Sequence, residues 1–157
     1  MNTIQFTKEQ ALQKIKQYCT YQERCHAEVK EKLYSFKLYK KETEEIIARL
    51  IEENYLNEER FAMQFAGGKF RIKNWGRVKI KHALKQRQVS EYVIKKALAQ
   101  ISEIDYNNAL NKIAAQKLKA LKSEKKIFIK KRKLKDYLLQ KGYEAKAISN
   151  IVNGLQT

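Results

Sequence analysis

Apolar residues recur every three or four positions along almost the whole chain, which is the spacing of one face of an α-helix. Polar and charged residues fill the positions between them. Thr7 followed by Gln10 predicts a capping box at the start of the first helix. Asn57 predicts a side-chain cap at the start of a later helix. The pattern therefore predicts an all-α fold.

The apolar pattern also repeats along the chain. Five positions recur after 51 residues and again after a further 54, and these are Leu33, Leu38, Ile46, Ile47 and Leu50, then Leu84, Val89, Ala97, Leu98 and Ile101, then Leu138, Tyr143, Ile151, Val152 and Leu155. Each copy begins with one helix and ends in the same helix-turn-helix pattern. Three short helices bury little apolar surface alone, so such units are expected to stack on their neighbours.

We therefore predict three tandem three-helix repeats with about nine helices in all, in an elongated arrangement. The repeats would span residues 1–56, 57–104 and 105–157. The alternative is one nine-helix globule in which the internal similarity is accidental.

The composition agrees with helices and limits the class of protein. The 157 residues include no proline and five glycines, so helix breakers are few. Cys19 and Cys25 are too few for a disulfide framework and fit a reducing compartment. No stretch approaches the ~18 apolar residues of a membrane span, and residues 1–7 lack the apolar core of a secretory signal. We expect a monomeric cytoplasmic protein that does not act on membranes.

The charge is strongly positive and unevenly distributed. The chain has 34 Lys and Arg against 17 Asp and Glu, a net charge of +17, which divides as +1 in residues 8–56, +7 in 57–104 and +9 in 105–157. Basic side chains clustered on helices favour nucleic acid, because they release its counterions on binding. One alternative is a set of solvated lysine faces. A membrane surface is a weaker alternative, because the basic helices lack the Trp, Phe and Leu faces of membrane-lying helices.

The most distinctive basic cluster surrounds Trp75 and Gly76. Gly76 is expected to let the backbone turn into a helix, and the helix start favours anions through its free N–H groups and dipole. Three basic side chains are expected to project from that helix, namely Arg77, Lys79 and Lys81. Trp75 either contacts a base or a protein partner, or fills a junction between repeats.

Two further segments contain candidate contacts to nucleic acid or protein. The first comprises Lys69, Arg71 and Lys73; Lys69 and Lys73 share a helical face, which Arg71 reaches only from a bent or frayed helix end. The second is the densest basic run, and it comprises Lys130, Lys131, Arg132, Lys133 and Lys135. Either Lys130 with Lys133 or Lys131 with Lys135 could face one phosphate strand, and the other residues of the run would be solvated.

The chain shows no pattern of catalytic residues. It lacks a phosphate-binding glycine loop and a set of carboxylates spaced for two metal ions. Cys19, Cys25 and His26 lack a fourth metal ligand. We predict no catalytic residue, no cofactor and no metal site. Arg24, in the nearly neutral first repeat, is either a contact to a protein partner or part of a local salt bridge.

Four short motifs follow one another within residues 8–155. They are Arg24-Cys25-His26-Ala27-Glu28-Val29 before Leu33, Asn57-Glu58-Glu59-Arg60-Phe61-Ala62, Trp75-Gly76-Arg77-Val78-Lys79-Ile80 before Leu84, and Leu139-Gln140-Lys141-Gly142-Tyr143. Together they resemble the hallmark segments of the RecX family of bacterial regulatory proteins. Three positions depart from that pattern: Cys25 replaces a serine, Asn57 an acidic residue, and Arg87-Gln88 a Lys-Gly turn.

The resemblance implies three repeats of three helices and a non-enzymatic modulator of RecA recombinase. Such proteins bind RecA filaments on single-stranded DNA, usually inhibit ATP hydrolysis and strand exchange, and also bind DNA, either single-stranded or double-stranded. The residues alone leave two alternatives: a basic helical nucleic-acid-binding protein without a RecA partner, and an enzyme acting on nucleic acid. The charge distribution suggests that the second and third repeats face DNA and the first meets protein.

Overall fold

Helices make up most of the computed structural model, which describes residues 5–155. Within that range the chain forms α1 (Lys8–Tyr21), α2 (His26–Ser35), α3 (Lys40–Glu52), α4 (Glu58–Lys73), α5 (Arg77–Gln86), α6 (Glu91–Ala99), α7 (Glu103–Ala120), α8 (Ile127–Lys141) and α9 (Ala145–Asn153). No strand occurs in this part of the chain, so the predicted all-α fold is confirmed. Part of the N-terminal stretch examined for a secretory signal, residues 1–4, lies outside the described residues, as do residues 156–157.

Helix starts confirm the two predicted caps. Thr7 and Gln10 form the capping box: the Gln10 N–H donates to Thr7 Oγ1 at 3.2 Å, and the Thr7 N–H donates to Gln10 Oε1 at 3.0 Å. Asn57 Oδ1 accepts the N–H of Arg60 at 2.9 Å. Cys25 precedes α2 without capping it, and its thiol donates instead to the Glu28 carboxylate at 3.3 Å. The departure from serine therefore leaves α2 without a side-chain cap.

A left-handed residue follows α2, α5 and α8 at corresponding positions of the sequence pattern. These residues are Lys37 (φ 61°), Gln88 (φ 62°) and Gly142 (φ 96°). After α5 the N–H of Val89 donates to Leu84 O at 3.1 Å, and after α8 the N–H of Tyr143 donates to Leu138 O at 3.2 Å, as in a Schellman motif. Non-glycine residues in this conformation carry a backbone cost of about 1 kcal/mol. The observation supports a repeated helix-turn-helix, while the three repeat boundaries stay a prediction.

The chain divides into two compact units. Unit 1 comprises Met1–Gln64 with Leu84–Ile94, and unit 2 comprises Phe65–Ala83 with Lys95–Thr157, each as far as the structure describes it. The core of unit 1 contains the predicted apolar stripes of α1, α2 and α3, with buried Leu12, Ile15, Cys19, Val29, Leu33, Ile46 and Leu50. Unit 2 is centred on Tyr106 and Tyr143, whose rings lie 5.1 Å apart and are each 1% exposed.

Arg60 has a structural role within unit 1. Its guanidinium pairs with Glu23 and donates to the carbonyls of Asn54 at 3.0 Å and Tyr55 at 3.4 Å. These carbonyls follow the end of α3, where backbone acceptors lack helical donors. The arginine of the Arg60-Phe61-Ala62 motif therefore holds the connection between α3 and α4, and Phe61 is buried beside it.

The buried thiol of Cys19 should make unit 1 sensitive to alkali. Burial raises the pKa of Cys19 to about 11 from an ordinary value of 9.0. The folded state therefore keeps a proton that the unfolded chain releases, and stability falls as the pH rises from about 9 to 11. At about 1.4 kcal/mol per pKa unit, this group should remove about 2–3 kcal/mol of unfolding free energy.

Urea denaturation under reducing conditions at pH 8 and pH 11 measures this effect. Cys19→Ala should lose less stability between the two pH values than the parent chain. Comparing the two proteins cancels the contribution of tyrosine and lysine titration, which is common to both. An identical pH dependence in the two proteins would show that the thiol does not contribute.

Candidate nucleic-acid interface

The turn between α4 and α5 is bound through its backbone to the end of α8. The N–H of Gly76 donates to Lys141 O at 2.8 Å, and the N–H of Val78 donates to Gly142 O at 2.9 Å. A Cβ at Gly76 would lie 2.3 Å from Gly142 O. Gly76 is therefore required by the close approach of two backbones. Its carbonyl accepts the N–H of Ile80 at 3.2 Å, so Gly76 also stands at the turn into α5, as expected, although Gly142 is the only described glycine with positive φ.

Side chains complete the connection between these two turns. The Tyr143 hydroxyl donates to Asn74 O at 3.0 Å, and Lys141 Nζ donates to Lys73 O at 3.4 Å. Both carbonyls lie at the end of α4, where intrahelical donors run out. The hydrogen bonds therefore fix the positions of the residues on either side, including Trp75.

Trp75 is half-buried between two lysines. Lys79 Nζ lies 4.5 Å and Lys69 Nζ 5.0 Å from the centre of its ring, and the ring of Phe65 meets it edge-on at 6.5 Å. Among residues 5–155 neither ammonium has a carboxylate within ion-pair distance. The ring of Trp75 thus packs on Phe65 and holds two lysines that lack acidic partners. Its contact with a base or a protein partner, and its placement at a junction between repeats, stay predictions.

One face of α8 continues this pattern of lysine and aromatic side chains. Tyr137 has Lys117 Nζ at 5.0 Å and Lys141 Nζ at 5.9 Å from its ring centre. Lys130 and Lys133 precede Tyr137 at helical spacing on the same face. Lys133 is partly neutralised by Glu124 at 3.7 Å.

We call this set the lysine–aromatic surface, and all of it belongs to unit 2. It comprises Lys69, Trp75, Lys79, Lys117, Lys130, Lys133, Tyr137 and Lys141, with Lys73 one helical turn after Lys69 on the same face of α4. Sequence reasoning missed three of these as contacts, namely Lys117, Tyr137 and Lys141. The pattern offered one clue, because Tyr137 and Lys141 lie four residues apart on the predicted second helix of the last repeat.

Arg77 is held inside unit 2 instead of pointing into solvent. Its guanidinium lies 3.8 Å from the centre of the Tyr106 ring and pairs with Glu103 and, at 3.2 Å, with Glu144. The Tyr106 hydroxyl donates a hydrogen bond to the Glu144 carboxylate and accepts one from the backbone N–H of Arg77 at 3.0 Å. Burial, helped by the hydrogen bond to Glu144, raises the pKa of Tyr106, so its hydroxyl stays protonated. A contact of Arg77 with DNA stays an untested prediction, and we leave this residue out of the proposed interface.

Tyr106→Phe should lower the free energy of unfolding by about 1–3 kcal/mol. The substitution keeps the ring but leaves the Arg77 N–H and a Glu144 oxygen without their shared partner, and unmade buried hydrogen bonds cost about this much. Urea denaturation measures the change. Tyr137→Phe is the matched control, because the described residues offer the Tyr137 hydroxyl no partner. Equal effects of the two substitutions would contradict a stabilising role for the Tyr106 hydroxyl.

The remaining predicted contacts of unit 2 lie off the lysine–aromatic surface. Arg71 folds back along α4, where its Nη1 would be 2.7 Å from a Cβ at Gly67. Lys81 is exposed and two positions from Lys79, so it points to another side of α5. On α8, Lys131 is half-buried beside the core, and the exposed Arg132 and Lys135 lie away from Tyr137. Of the two pairings left open, helix geometry therefore favours Lys130 with Lys133.

Arg24 makes local contacts in unit 1. Its Nε donates to Tyr18 O at 3.0 Å, its guanidinium lies 3.7 Å from the centre of the Tyr18 ring, and Nη1 is 3.9 Å from Glu28. These contacts agree with the local alternative, and a contact with a protein partner stays untested.

Residues 5–155 contain no group of three or more His, Cys, Asp or Glu side chains placed to hold a metal ion. None of the helices in this range is both long and apolar enough to cross a lipid bilayer.

Comparison with known proteins identifies relatives of this chain. A family model described as "RecX, second three-helix domain" matches residues 57–98. The chain is 36% identical over 107 residues to the "Regulatory protein RecX" of Clostridium perfringens, covering 68% of this chain and 50% of the relative. It is 34% identical over 132 residues to that of Clostridium tetani, covering 82% and 59%. The chain thus spans about half to three fifths of the length of these curated relatives.

Solved structures share the fold. The crystal structure of RecX from Lactobacillus salivarius matches with a TM-score of 0.83 and 24% identity, covering 93% of this chain and 94% of that one. A second crystal structure, of "regulatory protein RecX", matches with a TM-score of 0.84 and 18% identity, covering 94% and 73%.

Proposed function

The chain belongs to the RecX family of regulatory proteins, and on that premise we propose that it binds RecA filaments on single-stranded DNA and inhibits their ATP hydrolysis and strand exchange. Through this inhibition it would regulate recombination and DNA repair. We further propose that the protein is monomeric and non-enzymatic and acts in the cytoplasm, where DNA and RecA are found.

The lysine–aromatic surface is the observation that carries the DNA-binding part of this proposal. Lys69 and Lys79 lie on Trp75 without acidic partners, so phosphates can take the place that a carboxylate would occupy. The hydrogen bonds of Gly76 and Val78 to the end of α8 hold this arrangement before DNA arrives. Aromatic rings beside lysines suit single strands, because unpaired bases stack on them whatever their sequence.

The experiment is a titration of RecA ATP hydrolysis on single-stranded DNA with this protein. DNA is kept in excess, so that competition for free DNA has little effect on the rate. We expect suppression at less than one molecule of this protein per RecA subunit, because a bound modulator affects neighbouring subunits of the filament. A helical control protein of net charge +17 should suppress hydrolysis only weakly.

A second candidate is a basic nucleic-acid-binding protein that needs no RecA, and the net charge of +17 favours it. In that case the protein and the control would suppress hydrolysis equally, because both would act only by occupying DNA. Salt dependence does not separate the two candidates, since each should lose DNA affinity steeply as salt rises. The titration therefore decides between them.

A further inference from the structure

A groove with aromatic walls lies within unit 1. It is open to solvent and has a volume of about 420 Å³, and its walls are the rings of Phe6, Tyr18, Tyr21 and Phe36. Phe36 is buried and meets Phe6 edge-on at 5.0 Å, while Arg24 covers one face of Tyr18. The floor of the groove is therefore held by packing within α1, α2 and the segment before α1.

Tyr21 differs from the other three rings because it is 85% exposed. It lies at the end of α1 and borders the groove. Its ring adds nothing to the core and has the Arg24 guanidinium 6.0 Å from its centre, which leaves most of the ring exposed to meet an apolar side chain placed in the groove.

The rim of the groove is cationic. Lys14 Nζ lies 5.1 Å from the centre of the Phe6 ring, and Lys32 Nζ lies 5.5 Å from that of Tyr18. Within residues 5–155 neither lysine has a carboxylate at ion-pair distance, and no carboxylate lines the groove. The third cation, Arg24, has Glu28 at 3.9 Å, near the limit of an ion pair. The groove therefore offers apolar walls to a side chain and unpaired positive charges to groups beside it.

We propose that this groove binds a short acidic peptide segment of a protein partner, with an aromatic side chain between carboxylates. Its volume lies in the range of about 300–1,000 Å³ that holds small ligands or a few side chains. Residues 8–56 carry a net charge of only +1, so the long-range field that gathers nucleic acid is weak here. Positive charge is instead local, at the rim, where carboxylates of a bound segment would meet it.

Fluorescence polarisation of a labelled peptide, Glu-Asp-Phe-Asp-Glu, against the full chain tests this site without RecA. Lys14→Ala combined with Lys32→Ala should weaken binding about tenfold, since each lysine supplies one charge-assisted contact. Tyr21→Ala should weaken it about fivefold, and replacing the peptide's phenylalanine with alanine should do the same.

Matched controls separate the groove from the general positive charge. Lys40→Ala with Lys41→Ala removes the same charge from unit 1 outside the groove, and Tyr34→Ala removes a tyrosine of α2 that does not line it. Neither control, nor Lys69→Ala with Lys79→Ala, should change peptide affinity. Equal weakening by any of them would overturn the proposal. It would also be overturned if a short oligothymidylate displaced the peptide and itself lost affinity with the Lys14 and Lys32 substitutions, because the groove would then be a nucleic-acid site.

Discussion

Gly76→Ala should lower the free energy of unfolding by about 3–5 kcal/mol. The new methyl group would lie 2.3 Å from Gly142 O and 2.6 Å from the N of Tyr143, which are backbone atoms that no side-chain rotation can move away. Overpacking of this kind costs about 1–3 kcal/mol. Separating the turns also strains the hydrogen bonds from Gly76 to Lys141 and from Val78 to Gly142, worth about 1 kcal/mol each.

Gly68→Ala is the matched control, because it makes the same chemical change eight residues earlier, in the interior of α4. A Cβ at Gly68 would meet nothing within 4 Å, so this substitution should stabilise the chain by about 0.5–1 kcal/mol through helix propensity. Urea denaturation of both variants gives the comparison. Equal stabilities for Gly76→Ala and the parent would show that the two backbones separate without cost.

Replacement of Lys69, Lys79 and Lys141 by alanine should weaken binding to single-stranded DNA about 100-fold at low salt. Each lysine that contacts a phosphate contributes about 0.7 to the slope of log affinity against log salt, so the slope should fall by about 2. The three side chains belong to the lysine–aromatic surface, and their removal deletes no buried group of the core. Arg77 stays in place, because its loss would disturb Tyr106 and Glu144.

The control for this variant removes three lysines of unit 1, namely Lys30, Lys40 and Lys41, and leaves the same net charge. Its DNA affinity should fall less than fivefold, because only the weak long-range field changes. Unchanged far-UV circular dichroism shows that both variants are folded. If the control lost as much affinity as the lysine–aromatic variant, DNA binding would depend on total charge and the proposed surface would be wrong.

Local signals predicted the helices and several of their ends. Thr7 and Asn57 cap α1 and α4 as their side chains indicated, and Gln88, which stands where the family pattern has glycine, takes the left-handed conformation. Each of these outcomes depends on residues within a few positions of one another, whose interactions follow from helix geometry alone. The apolar stripe of α1, with Ile15 and Cys19, likewise is buried as its periodicity predicted.

The candidate interface was only partly predictable. Lys69, Trp75 and Lys79 lie close together in sequence, and the prediction that they form one cluster agrees with their contacts. Lys117 and Tyr137 come from two different helices, so no local pattern connects them. Arg77 was indistinguishable by sequence from its basic neighbours, because Glu103 and Glu144, which hold it, are far away along the chain.

The sequence by itself therefore determined which segments are helical, where several of them begin and end, and that most of the positive charge follows residue 56. Those properties depend on periodicity, capping and composition, which act over short distances along the chain. Only the tertiary structure decided that Gly76 must be glycine and that Arg77 is held while Lys79 is left without an acidic partner. The reason is physical: backbone clearance and ion pairing depend on atoms brought within a few ångströms by packing, and sequence separation says nothing about that distance.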